Sequence, residues 1–366
     1  MLAAALAQQG LAHPGQSEAE TRREMQERAE YLSTHRTLAD CAEKLEARGN
    51  DALLQARRSA KLESLRKKRS ISLDKPLLKA RSFDDVLNTD HHSNLTVIPE
   101  TADPAILFTG NASCILTPET TEGPYWVSGE LVREDIVEGQ TGVPLTLDIQ
   151  VVDVNTCEPV PQIYTEIWHA NSTGVYSGVI NPSNGNPNDA TNIDNTAFRG
   201  IQQTDDDGVV TFDTLFPGHY TNRTTHIHVL THIDATVLPN NTVAGGTISH
   251  VGQLYFDQSL IDLVEKEEPY TTNQQVLLTN AKDSLFSEEA ANVDPVVEYV
   301  LLGDDISEGV FGWIAFGMDT TFSRNVTPAV YLTENGGVEN PNSGNGSGPL
   351  PSGPDPTAQP SSTPAA

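Results

Sequence analysis

Between Phe216 and His228 the chain sets a phenol, a guanidinium and a pair of imidazoles close together: Tyr220, Arg223, His226 and His228. The two imidazoles stand two apart in a β-branched run. Side chains on a strand alternate between faces, so His226 and His228 would share one, about 6.6 Å apart along the chain. Rings at that spacing can close on one metal ion about 2.1 Å from each ligand atom. His232 falls on the same face but too far along the strand to join them both. The remaining ligands must come from elsewhere, and Tyr220, entering from a Pro-Gly turn, is the nearest. A carboxylate partner is not at hand, because the first Glu after His228 is Glu265. A zinc site of His226, His228 and His250 stays open, and with it a hydrolase.

A strand at His226 to His232 needs sheet neighbours. Leu145 to Val151 alternates apolar and polar residues, Pro159-Val-Pro161 marks a turn, Ile163 to His169 alternates again, and Val209 to Asp213 follows. Short strands separated by turn signals predict a β-sandwich. Helical stretches are expected near Ser259 to Lys266 and Asn280 to Ala291. Before the strands, Leu38, Cys41 and Leu45 keep helical spacing up to a stop at Arg48-Gly49-Asn50. A second helix, capped by Asp51, then carries Leu53, Leu54, Leu62 and Leu65.

The expected class is therefore mainly β: a sandwich with a helical N-terminal arm and a disordered C-terminal tail. Residues 1–12 read as a signal-peptide remnant, a short apolar run with small residues but no basic start. Residues 13–103 form a basic helical arm and linker, 104–333 the sandwich domain, and 334–366 the tail. The tail is Pro, Gly, Ser, Asn and Thr, too poor in large apolar side chains to fold. Arg57-Arg58 and Arg66-Lys-Lys-Arg69 read either as processing sites for a basic-specific protease or as a solvated helix face.

Charge divides the chain. It carries 22 basic and 50 acidic residues, a net of −28. Residues 1–82 hold sixteen of the basic and eleven of the acidic ones, net +5, which leaves six and thirty-nine, net −33, for the rest. The two segments are expected to have different jobs. So acidic a body repels phosphates, which argues against DNA or RNA as a partner. No stretch has 18 consecutive apolar residues, so no membrane span is expected.

Seven Asn-x-Ser/Thr sequons, at Asn94, Asn111, Asn171, Asn222, Asn240, Asn325 and Asn345, fit a secreted glycoprotein. Asn222 lies inside the proposed site, where a glycan would obstruct it. Of three cysteines, Cys114 and Cys157 flank the first strands and could form a disulfide, leaving Cys41 unpaired, although sequence does not fix that pairing.

Four stretches, taken in order, resemble the intradiol ring-cleavage dioxygenases, and most closely their secreted fungal branch. They are Leu116-Thr-Pro-Glu-Thr-Thr-Glu-Gly-Pro-Tyr125, Glu166-Ile-Trp-His-Ala-Asn-Ser-Thr-Gly-Val-Tyr176-Ser-Gly, Phe216-Pro-Gly-His-Tyr220 and Arg223-Thr-Thr-His226-Ile-His228. The resemblance covers roughly residues 104 to 333. It implies a ferric ion, Fe(3+), held by Tyr176, Tyr220, His226 and His228, because phenolates are hard anionic donors that favour Fe(III). It further implies cleavage of a catechol-type or polyphenol substrate by O2 between its two hydroxylated carbons, giving a muconate-type diacid, with Tyr220 the tyrosine displaced.

By the same match, Arg223 stabilises negative charge on the substrate and Gln253 orients it. Trp168 and Tyr125 are read as packing or pocket wall. The chain departs from the bacterial enzymes in its short spacing between Tyr220 and His226 and in His219. Its basic arm stands where some members carry a helical dimerisation region, which leaves a homodimer open. A competing reading keeps the sandwich as a secreted binding module for aromatic ligands, without turnover.

Overall fold

The computed structural model describes Tyr31 and residues 36–73, 123–290 and 293–343. Its strands are β1 (Val127–Ser128), β2 (Pro144–Asp153), β3 (Glu158–Pro159), β4 (Tyr164–Trp168), β5 (Arg199–Gln203), β6 (Val209–Leu215) and β7 (His226–Ile233). They continue with β8 (Thr236–Val237), β9 (Val243–Ala244), β10 (Thr247–Tyr255), β11 (Glu298–Leu301), β12 (Val310–Met318), β13 (Val330–Thr333) and β14 (Gly336–Glu339). The α-helices are α1 (Ala42–Arg48), α2 (Asn50–Lys68), α3 (Gln258–Val264) and α4 (Ser284–Ala290).

Two sheets face each other. One runs β11-β12-β2, with β6 and the short β3 also paired to β2, and the other runs β10-β7-β4-β5. Leu145, Leu147, Ile149 and Val151 of β2 meet Ile227 and Val229 of β7, Ile167 of β4 and Leu254 of β10 in one core. Each such side chain removed from water contributes about 1.5–3 kcal/mol. The odd-numbered residues of β7 are thereby fixed inward. Period-two alternation then turns His226 and His228 onto the outer face of the second sheet.

Strict alternation in β2 predicts that Thr146, Asp148 and Gln150 face water. They are buried instead, because the basic arm covers that face. Leu62, Leu65 and Ile71 pack against Val300, Leu302, Phe311 and Trp313, and Arg58 stacks over the Trp313 ring at 5.4 Å. Asn50 and Gln150 exchange hydrogen bonds through their amides. Arg57 pairs with Asp205 at 2.6 Å and Asp207 at 2.9 Å, Arg48 with Glu158, and Lys61 with Glu134. Among the described residues, the basic arm and the acidic body are thus complementary within one fold, which corrects the expectation that residues 36–73 have a separate job.

Cys41 is disulfide-bonded to Cys157, with the two Cα atoms 5.2 Å apart, and so corrects the expected Cys114–Cys157 pairing. The turn before α1 seats Leu38 and Cys41 against Val152, Cys157 and Ala315, which sets the sulfurs side by side. Arg58 and Arg66 are buried, whereas Lys67 and Lys68 of the second cluster are exposed. Leu54, Leu62 and Leu65 of α2 are buried within the chain, while Leu53 is exposed.

Gly49 ends α1 in the left-handed region at φ 73°, where the sequence placed a stop. At the other end, β14 pairs with β13, and Asn340 is buried and donates to the Pro328 carbonyl. The folded part therefore runs past residue 333 to 343. The signal-peptide remnant, Cys114, the sequons at Asn94, Asn111 and Asn345, and the start of the Leu116–Tyr125 motif lie outside the described residues.

Candidate metal and substrate site

Two loops and two strands bring the predicted side chains together. The His226 and His228 Nε2 atoms stand 3.2 Å apart, and the Tyr176 hydroxyl is 3.4 Å from His226 Nε2. Tyr220 closes the group, its ring 5.3 Å from that of Tyr176 and 5.5 Å from that of His226. Two ligands about 2.1 Å from a common ion, at near right angles, stand about 3 Å apart, which matches the imidazole nitrogens. His226 Nδ1 lies 2.6 Å from the Thr224 carbonyl and so carries the proton, leaving the Nε2 lone pair facing the cluster.

The loops that deliver the tyrosines are tightly specified. Asn184 accepts from the Tyr176 amide and donates to its carbonyl, which Asn192 also contacts. Arg199 donates to the carbonyls of Ser177 and Tyr125, tying the Tyr176 loop to the Gly-Pro-Tyr125 segment. Gly218 lets the Tyr220 loop lie against the Tyr176 loop. A Cβ there would come within 2.5 Å of the Ser172 carbonyl oxygen, so only glycine fits.

Burial sets the protonation of the donors. It pushes Tyr176 well above the ordinary phenol value. Tyr220 is raised less, to about 12, because Arg223 and a hydrogen bond from Tyr176 oppose the same burial. His228 is driven far down by burial and by His226 and Arg223, so it is neutral. The two imidazole nitrogens and two phenols that only a strong cation would deprotonate make a donor set suited to a hard trivalent metal.

Beside these donors lies a second group. Arg223 Nε donates to Asp283 at 2.8 Å, and its terminal nitrogen reaches Gln253 Oε1 at 2.6 Å and the Tyr255 hydroxyl at 3.1 Å. Burial opposes its charge, yet Asp283, Tyr255 and Tyr220 more than offset this and hold Arg223 well above the usual value. Gln253 sits directly across from His228 in the β10–β7 register. Its Nε2 is buried with no hydrogen-bond partner among the described residues. An orphaned donor costs about 1–3 kcal/mol, which points to a missing acceptor at this spot.

Two aromatic residues read as packing or pocket wall lie against the donors. Trp168 is stacked on His228 with ring centroids 4.7 Å apart and planes at 5°, because the two residues are register partners on β4 and β7. Tyr125 lies 4.7 Å from Tyr176 and 5.9 Å from Tyr220, its hydroxyl buried and without a partner among the described residues. Counting strand parity from Trp168 would have found the first. Asp283 was missed altogether, and nothing local in the sequence marks it.

His250 does not join the others. It is partnered with Thr231 in the ladder, on the opposite face of the sheet from His228, and its ring stacks on Phe316 of the facing sheet at 4.6 Å. Strand parity thus corrects the three-histidine zinc alternative. Among the described residues, no three His, Cys, Asp or Glu side chains are grouped to hold a metal. His250→Phe is expected to leave bound metal within about twofold of the parent, measured by elemental analysis; loss of the metal would restore His250 to the site.

The family model described as Dioxygenase matches residues 121–284, the span that holds all of these residues. Catechol 1,2-dioxygenase 1 of Acinetobacter lwoffii is 30% identical over 142 residues, which cover 32% of this chain and 43% of that protein. The chain thus spans less than half of that curated relative. An intradiol ring-cleavage dioxygenase of Tetranychus urticae is 30% identical, with a TM-score of 0.47, covering 58% of this chain and 98% of the other. The dioxygenase domain of a dioxygenase carbohydrate-binding fusion from Streptomyces sp. SirexAA-E is 26% identical, with a TM-score of 0.37, covering 56% and 98%.

Proposed function

Since the chain belongs to the intradiol ring-cleavage dioxygenases, we propose that it uses Fe(3+) and O2 to open catechol-type rings between the two hydroxylated carbons. The observation that carries this reading is the convergence of Tyr176, Tyr220, His226 and His228, with the two imidazole Nε2 atoms 3.2 Å apart. When bound, ferric iron supplies a hard Lewis acid that draws electron density from an ortho-diphenol and opens its ring to O2.

The chain's own residues do the rest. Tyr220 holds its proton less tightly than Tyr176, so its oxygen is the one suited to exchange a proton with a substrate hydroxyl. Arg223 presents a fixed positive charge to the anionic ring in a site closed to bulk water. Gln253 Nε2 donates to a substrate oxygen, filling the acceptor it lacks. Trp168, stacked on His228, keeps that ring from turning, and Tyr125 walls the pocket beside the two tyrosines. The product is a muconate-type diacid.

The Cys41–Cys157 disulfide and the exposed sequon asparagines Asn240 and Asn325 support a secreted glycoprotein. Oxygen uptake with catechol tests the activity. Stoichiometric O2 consumption with appearance of a ring-opened diacid is expected; no uptake by iron-loaded protein across a panel of ortho-diphenols would leave a binding module.

A further inference from the structure

The two tyrosines arrive on separate loops, and one side chain joins those loops. Gln275, in the segment after α3, donates from Nε2 to the carbonyls of Thr173 at 3.0 Å and Gly174 at 2.8 Å, just ahead of Tyr176. Its Oε1 accepts from the Thr221 amide at 3.0 Å and the Thr221 hydroxyl at 3.2 Å, just after Tyr220. Both donor hydrogens and both acceptor positions of the amide are therefore used, and all of them on the two tyrosine loops.

The neighbouring chain is shaped to admit this amide. A Cβ at Gly174 would press on Gln275 Nε2 and on the His219 carbonyl, at separations that real Cβ atoms do not show, and a Cβ at Gly185 would lie 2.5 Å from the same Nε2. The segment around Gln275 also grips the other side of Tyr220. Its carbonyl meets His219 Nε2 at 3.1 Å, and Asn273 donates to the His219 carbonyl at 2.8 Å. Tyr176 has its own clamp in Asn184 and Asn192. What Gln275 adds is the distance between the two loops.

Resting on the ring-cleavage reading above, we propose that Gln275 is a positioning residue that fixes Tyr220 relative to Tyr176 and so sets the spacing of the two phenol donors. It touches neither substrate nor metal. It acts through the loops, as the supports of metal ligands do when their loss costs 10–100-fold in affinity or activity.

Gln275→Met keeps the length of the side chain and removes all four hydrogen bonds. Gln275→Glu keeps the acceptors for Thr221 but sets an oxygen against the carbonyls of Thr173 and Gly174. Both are expected to retain the far-ultraviolet dichroism of the parent. The tyrosine near-ultraviolet dichroism of the metal-free protein should change, the visible band of the iron-loaded protein should shift, and kcat should fall about 10–100-fold. Gln274→Ala, whose side chain reaches only the Thr272 carbonyl, is the control and should match the parent.

Folded variants with the parent's spectra and turnover would overturn the proposal. So would loss of the fold in both variants, since Gln275 would then hold the domain together and not the tyrosine pair. If the parent itself takes up no iron and opens no ring, the functional reading fails, whereas a coloured, active parent with indifferent variants sinks only the role of Gln275.

Discussion

Tyr176→Phe and His226→Ala are each expected to bleach the iron-loaded protein and to cut ring cleavage by on the order of 10³-fold, the several kcal/mol that a metal centre supplies. The fold should survive in both. Phe keeps the ring that packs against Tyr125 and Tyr220 and loses only the hydroxyl at 3.4 Å from His226. His226→Ala removes a ring from the outer face of β7, while Ile227 and Val229 still anchor that strand to the core. Visible absorbance and iron content, read beside far-ultraviolet dichroism, separate loss of the metal from loss of the fold. Retained colour in both variants would show that the donors are wrongly assigned.

The second large effect concerns stability. Arg223 and Asp283 are a buried ion pair at 2.8 Å, and Asp283 also accepts from the amides of Thr224 and Phe286. Removing one partner strands the other charge out of water, at a cost of about 3–5 kcal/mol. Asp283→Ala is therefore expected to lower unfolding stability by that amount, measured by urea titration, and to reduce turnover through misplacement of Arg223. Arg223→Met alone should destabilise similarly. The double replacement Arg223→Met with Asp283→Leu should recover much of the stability, because no unpaired charge remains, and none of the activity. Recovery of both would mean that Arg223 serves the fold and not the substrate.

These expectations rest on a site that was only partly legible in the sequence. His226 and His228 declared their shared face through strand parity, and Tyr220 and Arg223 lay close enough along the chain to be grouped with them. Tyr176 was reached through motif resemblance, since strand arithmetic cannot bring residues fifty positions apart to one point. Asp283 and Gln275 act across loops that only the folded chain brings near, so neither periodicity nor spacing marks them.

The fold divides in the same way. β2, β4, β6 and β7 alternate and could be read. β12 is buried on both faces, between the sandwich core and the arm, so its run Val-Phe-Gly-Trp-Ile-Ala-Phe-Gly-Met shows no period of two. The role of the arm was hidden for a related reason. The basic residues of α2 and the acidic body look unrelated along the chain and become ion pairs only when the helices lie on β2 and β6.

Elemental analysis of the purified protein together with its visible spectrum tests the central claim most directly. Iron in an amount equal to the chain, with the broad charge-transfer band of phenolate on Fe(III) and a red to burgundy colour, is the predicted result. Colourless protein that takes up zinc, or iron bound without that band, would contradict a centre built on Tyr176, Tyr220, His226 and His228.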